Sequence, residues 1–320
     1  MVSFLANRAA AAFVTLLGAL LLMFAMIRLV PGDLASALLG PRATPELRQR
    51  IIEDMGLDKT VPEQIWRFIS RAVTGDFGTD VISHRPILDV VQEVMPYTLT
   101  LALSAMALSL ALGIPLGVIA ARRQGSVLDR ILTTLSVAFI TTPALVVSIV
   151  LLLLFSAVFH WLPVAGAGAP GDLLDQLQHL ILPCIALALG WIGYIARLVR
   201  AALLETLAEP HIRTLRAYGV SERRITGYFA LRPSLVPLVA ILGIGLGDMI
   251  GSAVFAEMIF ARPGLGSLMA TSIGHRNYPV LQACVLVIVL IYVTANLLSD
   301  LANIALDPRI AHSLTTDSGG

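Results

Sequence analysis

Carboxylates set inside apolar stretches are the side chains of this sequence best placed to do chemistry. Asp248 lies in "GIGLGDMIG", Glu257 follows nine positions later, and Asp300 sits in the last apolar stretch. Ionisable groups inside a membrane are costly, and a function is the default hypothesis for them. Two carboxylates sharing a proton can act as acid and base on a peptide bond. Gly245-Leu246-Gly247-Asp248 matches the Gly-x-Gly-Asp half of such a pair, but the usual other half, Tyr-Asp, occurs nowhere, and Asp300 follows Ser299. A single deep carboxylate could instead couple solute movement to protons or sodium, and Asp248 is the good candidate for that. Glycines at such spacing also serve close helix packing. Glu257 reads as an interfacial group with a structural partner, and Asp300 as a solvated one.

Other chemistry is excluded more simply. A P-loop needs Gly-Lys-Ser/Thr after a glycine-rich run, the lysine reaching the phosphates. The single lysine, Lys59, follows Asp58, so the chain holds no P-loop. Two cysteines, Cys184 and Cys284, both fall in apolar stretches, which suits small buried hydrophobes rather than a disulfide framework or a metal cluster. No catalytic, cofactor-binding or metal-binding residues are expected.

The elements that must hold these groups follow from composition. The chain is 57% hydrophobic and 13% charged, with a mean hydropathy of +0.84. Soluble domains are about 25% charged, and a bilayer span needs about 20 apolar residues. Six stretches suit that length, at about 9–30, 97–120, 131–157, 178–198, 234–258 and 280–304. The expectation is an all-α polytopic membrane protein with six transmembrane helices. Pro143 and Pro183 can kink the third and fourth spans. The small residues of "TTPALVVSI" at 141–149 suit a pathway lining as well as a lipid-facing wall. Arg8, the apolar run and Ala35-Ser36-Ala37 imitate a signal peptide, but the run is long for one and Pro31-Gly32-Asp33 intervenes. A retained first helix is the working reading.

Arginines orient the bundle. Loop two carries Arg122, Arg123 and Arg130, and loop four carries Arg213, Arg216, Arg223, Arg224 and Arg232. The third-to-fourth loop has no Arg or Lys, and the fifth-to-sixth only Arg262 and Arg276. The positive-inside rule puts loops two and four in the cytoplasm, with both termini. Region 31–96 then faces outward. "TPELRQRIIEDMGL" predicts a short helix started by Thr44 and Pro45 and ended by Gly56. "VPEQIWRFISRAV" predicts another with Ile65, Phe68 and Ile69 on one side, and "GDFG" at 75–78 a turn. Together they read as an amphipathic lid on the membrane surface.

Loop four, "HIRTLRAYGVSERRITGYFALRPSLVP", is large for a connector. Pro210 favours a helix start, Ile212, Leu215 and Tyr218 recur every three residues, and Gly219 suits the position past a helix end. Ser221 can cap a second helix running into the fifth span. Arginines at mid-bilayer would cost about 2.5–3.5 kcal/mol each, so the segment lies at the cytoplasmic face. There it either anchors to anionic lipid or docks into a partner groove accepting Ile212, Leu215 and Tyr218. A DNA-binding helix-turn-helix is ruled out by the tether between two spans, so no nucleic-acid partner is expected.

Here "RTLRAYG" followed by "ALRPSLVP" resembles the EAA loop of ABC importer membrane subunits, in the form found in peptide and nickel permeases. Arg213 stands where the general pattern has Glu. "IRLVPGD" at 27–33, "MGLDKTVPEQIWRFI", "GDFGTDVISHRPILDVVQEVMPYTLTLA", "AEMIFARPGLGSLM" at 256–269 and "LDPRI" at 306–310 resemble further stretches of that subgroup, in order. The resemblance implies a type I ABC importer permease fold in a bacterial inner membrane. Its organisation would be a first helix at 1–30, an extracytoplasmic region at 31–96, a core at 97–310 with a coupling loop at 199–233, and a tail at 311–320. It implies that the helix at 211–219 couples to a separate ATPase through Ile212, Arg213, Leu215, Arg216, Ala217, Tyr218 and Gly219. Glu257, Asp248 and Pro143 would belong to the translocation pathway. Implied partners are a second homologous permease, one or two cytoplasmic ATPases that bind ATP and Mg, an extracytoplasmic solute-binding protein and membrane lipid. The solute would be a dipeptide, an oligopeptide or a related small solute such as a nickel chelate. Alternatives resting on Asp248 are an ion-coupled secondary transporter and an intramembrane aspartyl protease.

Overall fold

The computed structural model describes residues 2–29 and 59–306, so the expected helix from Thr44 to Gly56 lies outside the described residues. Within them, regular structure is helical apart from one isolated bridge between Thr79 and Pro86. Helix α1 is Val2–Leu29, α2 Val61–Val73, α3 Ile87–Arg122, α4 Val127–Thr141 and α5 Ala144–Leu151, which continues as a π-helical segment over Leu152–Val158. After a glycine-rich loop come α6, Leu173–Ala208, and the short α7, Pro210–Ala217. Helix α8 runs from Glu222–Arg224 through a π-helical Ile225–Ala230 to Leu231–Ser234. Helices α9, Val236–Ile259, α10, Leu265–Gly274, and α11, Tyr278–Leu306, complete the described residues.

Among the described residues, five helices are long and apolar enough to cross a bilayer: α1, α3, α6, α9 and α11. The expected third span is instead two helices, α4 and α5, bent by 101°. Proline is the physical reason. It disfavours helical backbone in the residue before it, and Thr142 is extended at φ −87°, ψ 118°. Pro143 then stands at the start of α5. The anticipated kink is therefore a break. Pro183, by contrast, sits inside an uninterrupted α6. Helices α3 and α6 have 36 residues each, about 54 Å at 1.5 Å per residue, so both outrun a hydrocarbon core of about 30 Å.

The core lies where α3, α6 and α9 meet, around Leu101, Met106, Leu187, Ile192, Met249 and Ala253, all buried. Their approach is close enough to need missing side chains. A Cβ on Gly117 of α3 would lie 2.6 Å from the Ala196 carbonyl of α6, and one on Gly193 of α6 would lie 2.5 Å from the Ser136 carbonyl of α4.

Two carboxylates near the arginine-rich end are paired across helices. Arg200 of α6 donates from Nε and Nη2 to the two carboxylate oxygens of Asp129 in α4, at 2.6 and 2.8 Å. Arg200 thus bolts α4 to α6 instead of reaching for water, whereas Arg197, on the same helix, is exposed. Asp300, expected to be solvated, accepts instead from Arg8 Nη2 at 2.7 Å and ties α11 to α1. In both cases the partner is on another span, beyond what a reading of one span could find.

At the opposite end, α2 lays Ile65, Phe68 and Ile69 on Leu20, Phe24 and Ile27 of α1, as its spacing predicts. Gly75 and Gly78 take positive φ in the predicted turn. Asp80 then clamps the lid. Its buried carboxylate accepts from the Ile82 and Ser83 amides at 3.0 and 3.1 Å, from Ser83 Oγ, and from Asn277 Nδ2 just before α11. Burial raises the Asp80 pKa, but these donors outweigh it and hold the group below the usual 3.8. A carboxyl depressed in the folded state stabilises above its unfolded pKa, and that stability is lost as pH falls through the lowered value. Protection of the amides of residues 80–85, taken relative to the intrinsic exchange rate at each pH, should therefore hold from pH 7 to about pH 5 and fall below about pH 4. Equal protection across that range would remove Asp80 from the clamp.

Candidate functional site

Three places carry the groups singled out by sequence. The first is α7. Pro210 occupies its first turn, where a missing amide costs nothing. Ile212 is fully buried against Ala121, Leu203, Ile225 and Ala230, and Leu215 and Val220 pack on the same cluster. The end of the helix is a Schellman turn: Gly219 N–H donates to the Arg216 carbonyl at 2.9 Å and Val220 N–H to the Leu215 carbonyl at 3.1 Å. Gly219 supplies the required left-handed backbone at φ +77°.

This geometry corrects the expected docking strip. Ile212 and Leu215 face the chain's own bundle, because that apolar pair is what seats α7 on α3, α6 and α8. Tyr218 is turned the other way and is 82% exposed, with Arg213, Thr214 and Ala217 also exposed. Arg216 is engaged within the chain, donating from Nε to Glu222 Oε1 at 2.7 Å. That bond holds the Glu222 carboxyl below its usual range. Ser221 stands at the predicted N-cap, but its side chain makes no capping bond.

The second place is the middle of α9. Ile244, Asp248, Gly251, Phe255 and Met258 fall at intervals of four or three residues and form one exposed face. Asp248 Oδ2 accepts from the Trp191 indole Nε1 of α6 at 3.0 Å. Asp248 and Asp300 do not meet, since one is bound to Trp191 and the other to Arg8, so no proton is shared between them. The neighbouring glycines pack helices, as the sequence suggests. A Cβ on Gly247 would lie 1.9 Å from the Tyr292 ring of α11, and one on Gly245 2.9 Å from the Trp191 ring. Pro143, exposed at the α4–α5 break, has no hydrogen bond or ring contact with Asp248 or Glu257 among the described residues.

The third is the junction of α9 and α10. Glu257 is fully buried within the protein. Thr98 Oγ1 of α3 donates to Glu257 Oε1 at 2.5 Å and accepts from the Leu265 amide at 2.8 Å. Glu257 Oε2 accepts from the Ser267 amide at 3.0 Å. The carboxylate thus sits on the positive N-terminal end of α10, where free amides and the helix dipole favour a negative charge. A Cβ on Gly264 would lie 2.1 Å from that carboxylate, which explains why the turn "PGLG" needs a bare backbone there. Arg262 stands beside it, 4% exposed, its guanidinium 5.7 Å from the centre of the Tyr97 ring. Its Nε and Nη1 have no hydrogen-bond partner among the described residues. Sequence reasoning missed Thr98, Arg262 and Trp191. For Thr98 a signal existed, since a Glu ahead of Pro-Gly-x-Gly and a helix asks for a donor; nothing local marks Trp191.

Two family models match the chain. One, described as "Binding-protein-dependent transport system inner membrane component", covers residues 113–312, and its N-terminal companion covers residues 1–102. A probable peptide ABC transporter permease protein of Sinorhizobium fredii is 36% identical over 91% of this chain and 93% of its own. A glutathione transport system permease protein of Escherichia coli is 34% identical over the same shares. Among solved structures, the methionine ABC transporter in an inward-facing conformation matches 68% of this chain and 96% of its own. Its TM-score is 0.57 at 20% identity, a likeness of fold.

The buried junction makes a direct prediction. Gly264→Ala should drive a methyl group into the Glu257 carboxylate and cost about 1–3 kcal/mol, the usual range for overpacking, seen as a lower melting temperature of the purified protein. In a Glu257→Ala background the same change should cost much less, because the two are in contact. Additive losses would mean that Gly264 matters for another reason.

Proposed function

The chain belongs to the inner membrane components of binding-protein-dependent transport systems, and from that membership we propose how this subunit works. It is a permease subunit of an ABC importer in the inner membrane, a transport component of a system with ATPase and binding-protein partners rather than an enzyme. This membership replaces the ion-coupled and proteolytic readings of Asp248. Beyond it, the solute we propose is a peptide or a related small solute, because the similar permeases are named for peptide and glutathione transport. A second homologous permease, one or two ATPases holding ATP and Mg, and an extracytoplasmic binding protein complete the proposed assembly.

The observation that carries the coupling proposal is the split between the two faces of α7. One face is welded to the bundle by Ile212, at 0% exposure, and the other presents Arg213, Thr214, Ala217 and Tyr218 to whatever lies beyond. An ATPase gripping the outer face moves the bundle without a slack joint between them. With the positive-inside rule applied to loops two and four, that face, the α8 arginines and both termini lie in the cytoplasm. The lid and the α9–α10 junction lie outside, where the binding protein delivers solute. ATP binding closes the ATPases, α7 transmits the motion as a rigid body, and the spans open outward; hydrolysis resets them. The exposed α9 face around Asp248 is the stretch of pathway we assign to this subunit. Glu257 supports its outer end from behind as a structural clasp, and the Pro143 break leaves α4 and α5 able to move separately.

Two substitutions separate the faces. Tyr218→Ala together with Arg213→Glu should leave the melting temperature of the purified permease unchanged. The pair should lower ATPase recovery with it, and solute uptake, by about tenfold or more, as loss of an interface anchor does. Ile212→Asp should destabilise the permease itself, since it buries an unpaired charge. Undiminished ATPase recovery with the double variant would reduce α7 to a membrane-surface anchor.

A further inference from the structure

Asp248 stands apart from Asp129, Asp300 and Glu257 in how its charge is matched. Asp129 and Asp300 have arginines, and Glu257 has a hydroxyl and helix amides. Asp248 has an indole N–H on one oxygen, and its Oδ1 has no hydrogen-bond partner among the described residues. It stands halfway along the 24 residues of α9, about 18 Å from either end at 1.5 Å per residue. In lipid such a group would cost about 2.5–3.5 kcal/mol, yet it is exposed.

Its surroundings fit a positively charged visitor. The Trp191 bond fixes one carboxylate oxygen and leaves the other without a hydrogen-bond partner among the described residues. Tyr194, one turn along α6 and 41% exposed, packs edge-on against Trp191 with ring centres 5.3 Å apart. Aromatic faces beside a carboxylate attract ammonium groups and offer nothing to anions. One turn further along α9, Gly251 leaves open space, with no atom within 4 Å of where its Cβ would be. The nearest arginine on α6, Arg197, is six residues beyond Trp191 and also exposed, about 9 Å of helix rise away.

We propose that Asp248, oriented by Trp191 and flanked by Tyr194, is a mid-membrane station for a primary ammonium group of the solute, such as the free N-terminus of a peptide. This rests on the reading of the exposed α9 face as pathway. The charge makes the passage selective for cationic ends and holds the solute at one depth while the bundle changes state.

The test uses the assembled transporter in lipid nanodiscs with Gly251→Cys as reporter. This chain's own thiols do not compete, since Cys184 and Cys284 are buried, and labelling is read on this chain alone. Modification rates are measured with a trimethylammonium-ethyl and a sulfonato-ethyl methanethiosulfonate, each normalised to a free thiol. The expected result is a preference of about tenfold for the cationic reagent, from attraction of one and repulsion of the other. Asp248→Asn should abolish that preference and Asp248→Glu should keep it. If the thiol reacts but the preference is absent, or survives Asp248→Asn, the ammonium station is wrong while the pathway reading stands. If the thiol is unreactive to both reagents, the face is sealed, by the second permease or by lipid, and both readings fall.

Discussion

A bilayer offers no water to a polar group, so every polar group in it must find a partner within the protein. The rest of this structure follows from that constraint. Backbone amides satisfy themselves in helices. Where the backbone must break, at Thr142-Pro143, the break coincides with a residue that has no amide to satisfy. Charges obey the same rule. Asp129 and Arg200 satisfy each other across two helices, as do Arg8 and Asp300, and Glu257 is held by Thr98 and the first amides of α10. Each of these contacts ties together elements distant in sequence, so the pairing demanded by the solvent is also what fixes the bundle.

The same logic distinguishes structural charges from working ones. A buried group with a full set of partners is already spent on the fold, and Glu257 is of that kind. Asp248 departs from the rule, and so does Arg262, whose guanidinium is buried with two nitrogens unmatched. Natural proteins break local rules where function needs it. The mechanical link at the other end follows a comparable division. Helix α7 spends Ile212 and Leu215 on its seat and is left with a short, rigid, basic surface closed by the Gly219 turn. A lever needs both a fixed end and a free one.

Much of this was legible from sequence. The five unbroken spans, the lid helix with Ile65, Phe68 and Ile69, the Gly219 turn and the packing role of the α9 glycines all come from local patterns: length, period, proline and glycine. Contacts between elements were not legible. A three-residue apolar spacing shows that α7 has a sticky face and says nothing about whether its own bundle or another protein covers it. The depth of Glu257 depends on α10 folding back over it, and the pairing of Asp300 depends on where α1 passes. Non-local geometry also decides that Trp191, fifty-seven positions from Asp248, is its partner.

The central claim is that the outward face of α7 meets a separate ATPase while its inward face never leaves the permease. It is tested most directly by placing a photoreactive benzoyl-phenylalanine at residue 218, and separately at residue 212, in cells making the whole transporter. The adducts are then identified by mass spectrometry. The account predicts that residue 218 captures a P-loop ATPase, and that residue 212 captures only segments of this chain. Capture of lipid alone at residue 218, or of the ATPase at residue 212, would contradict it.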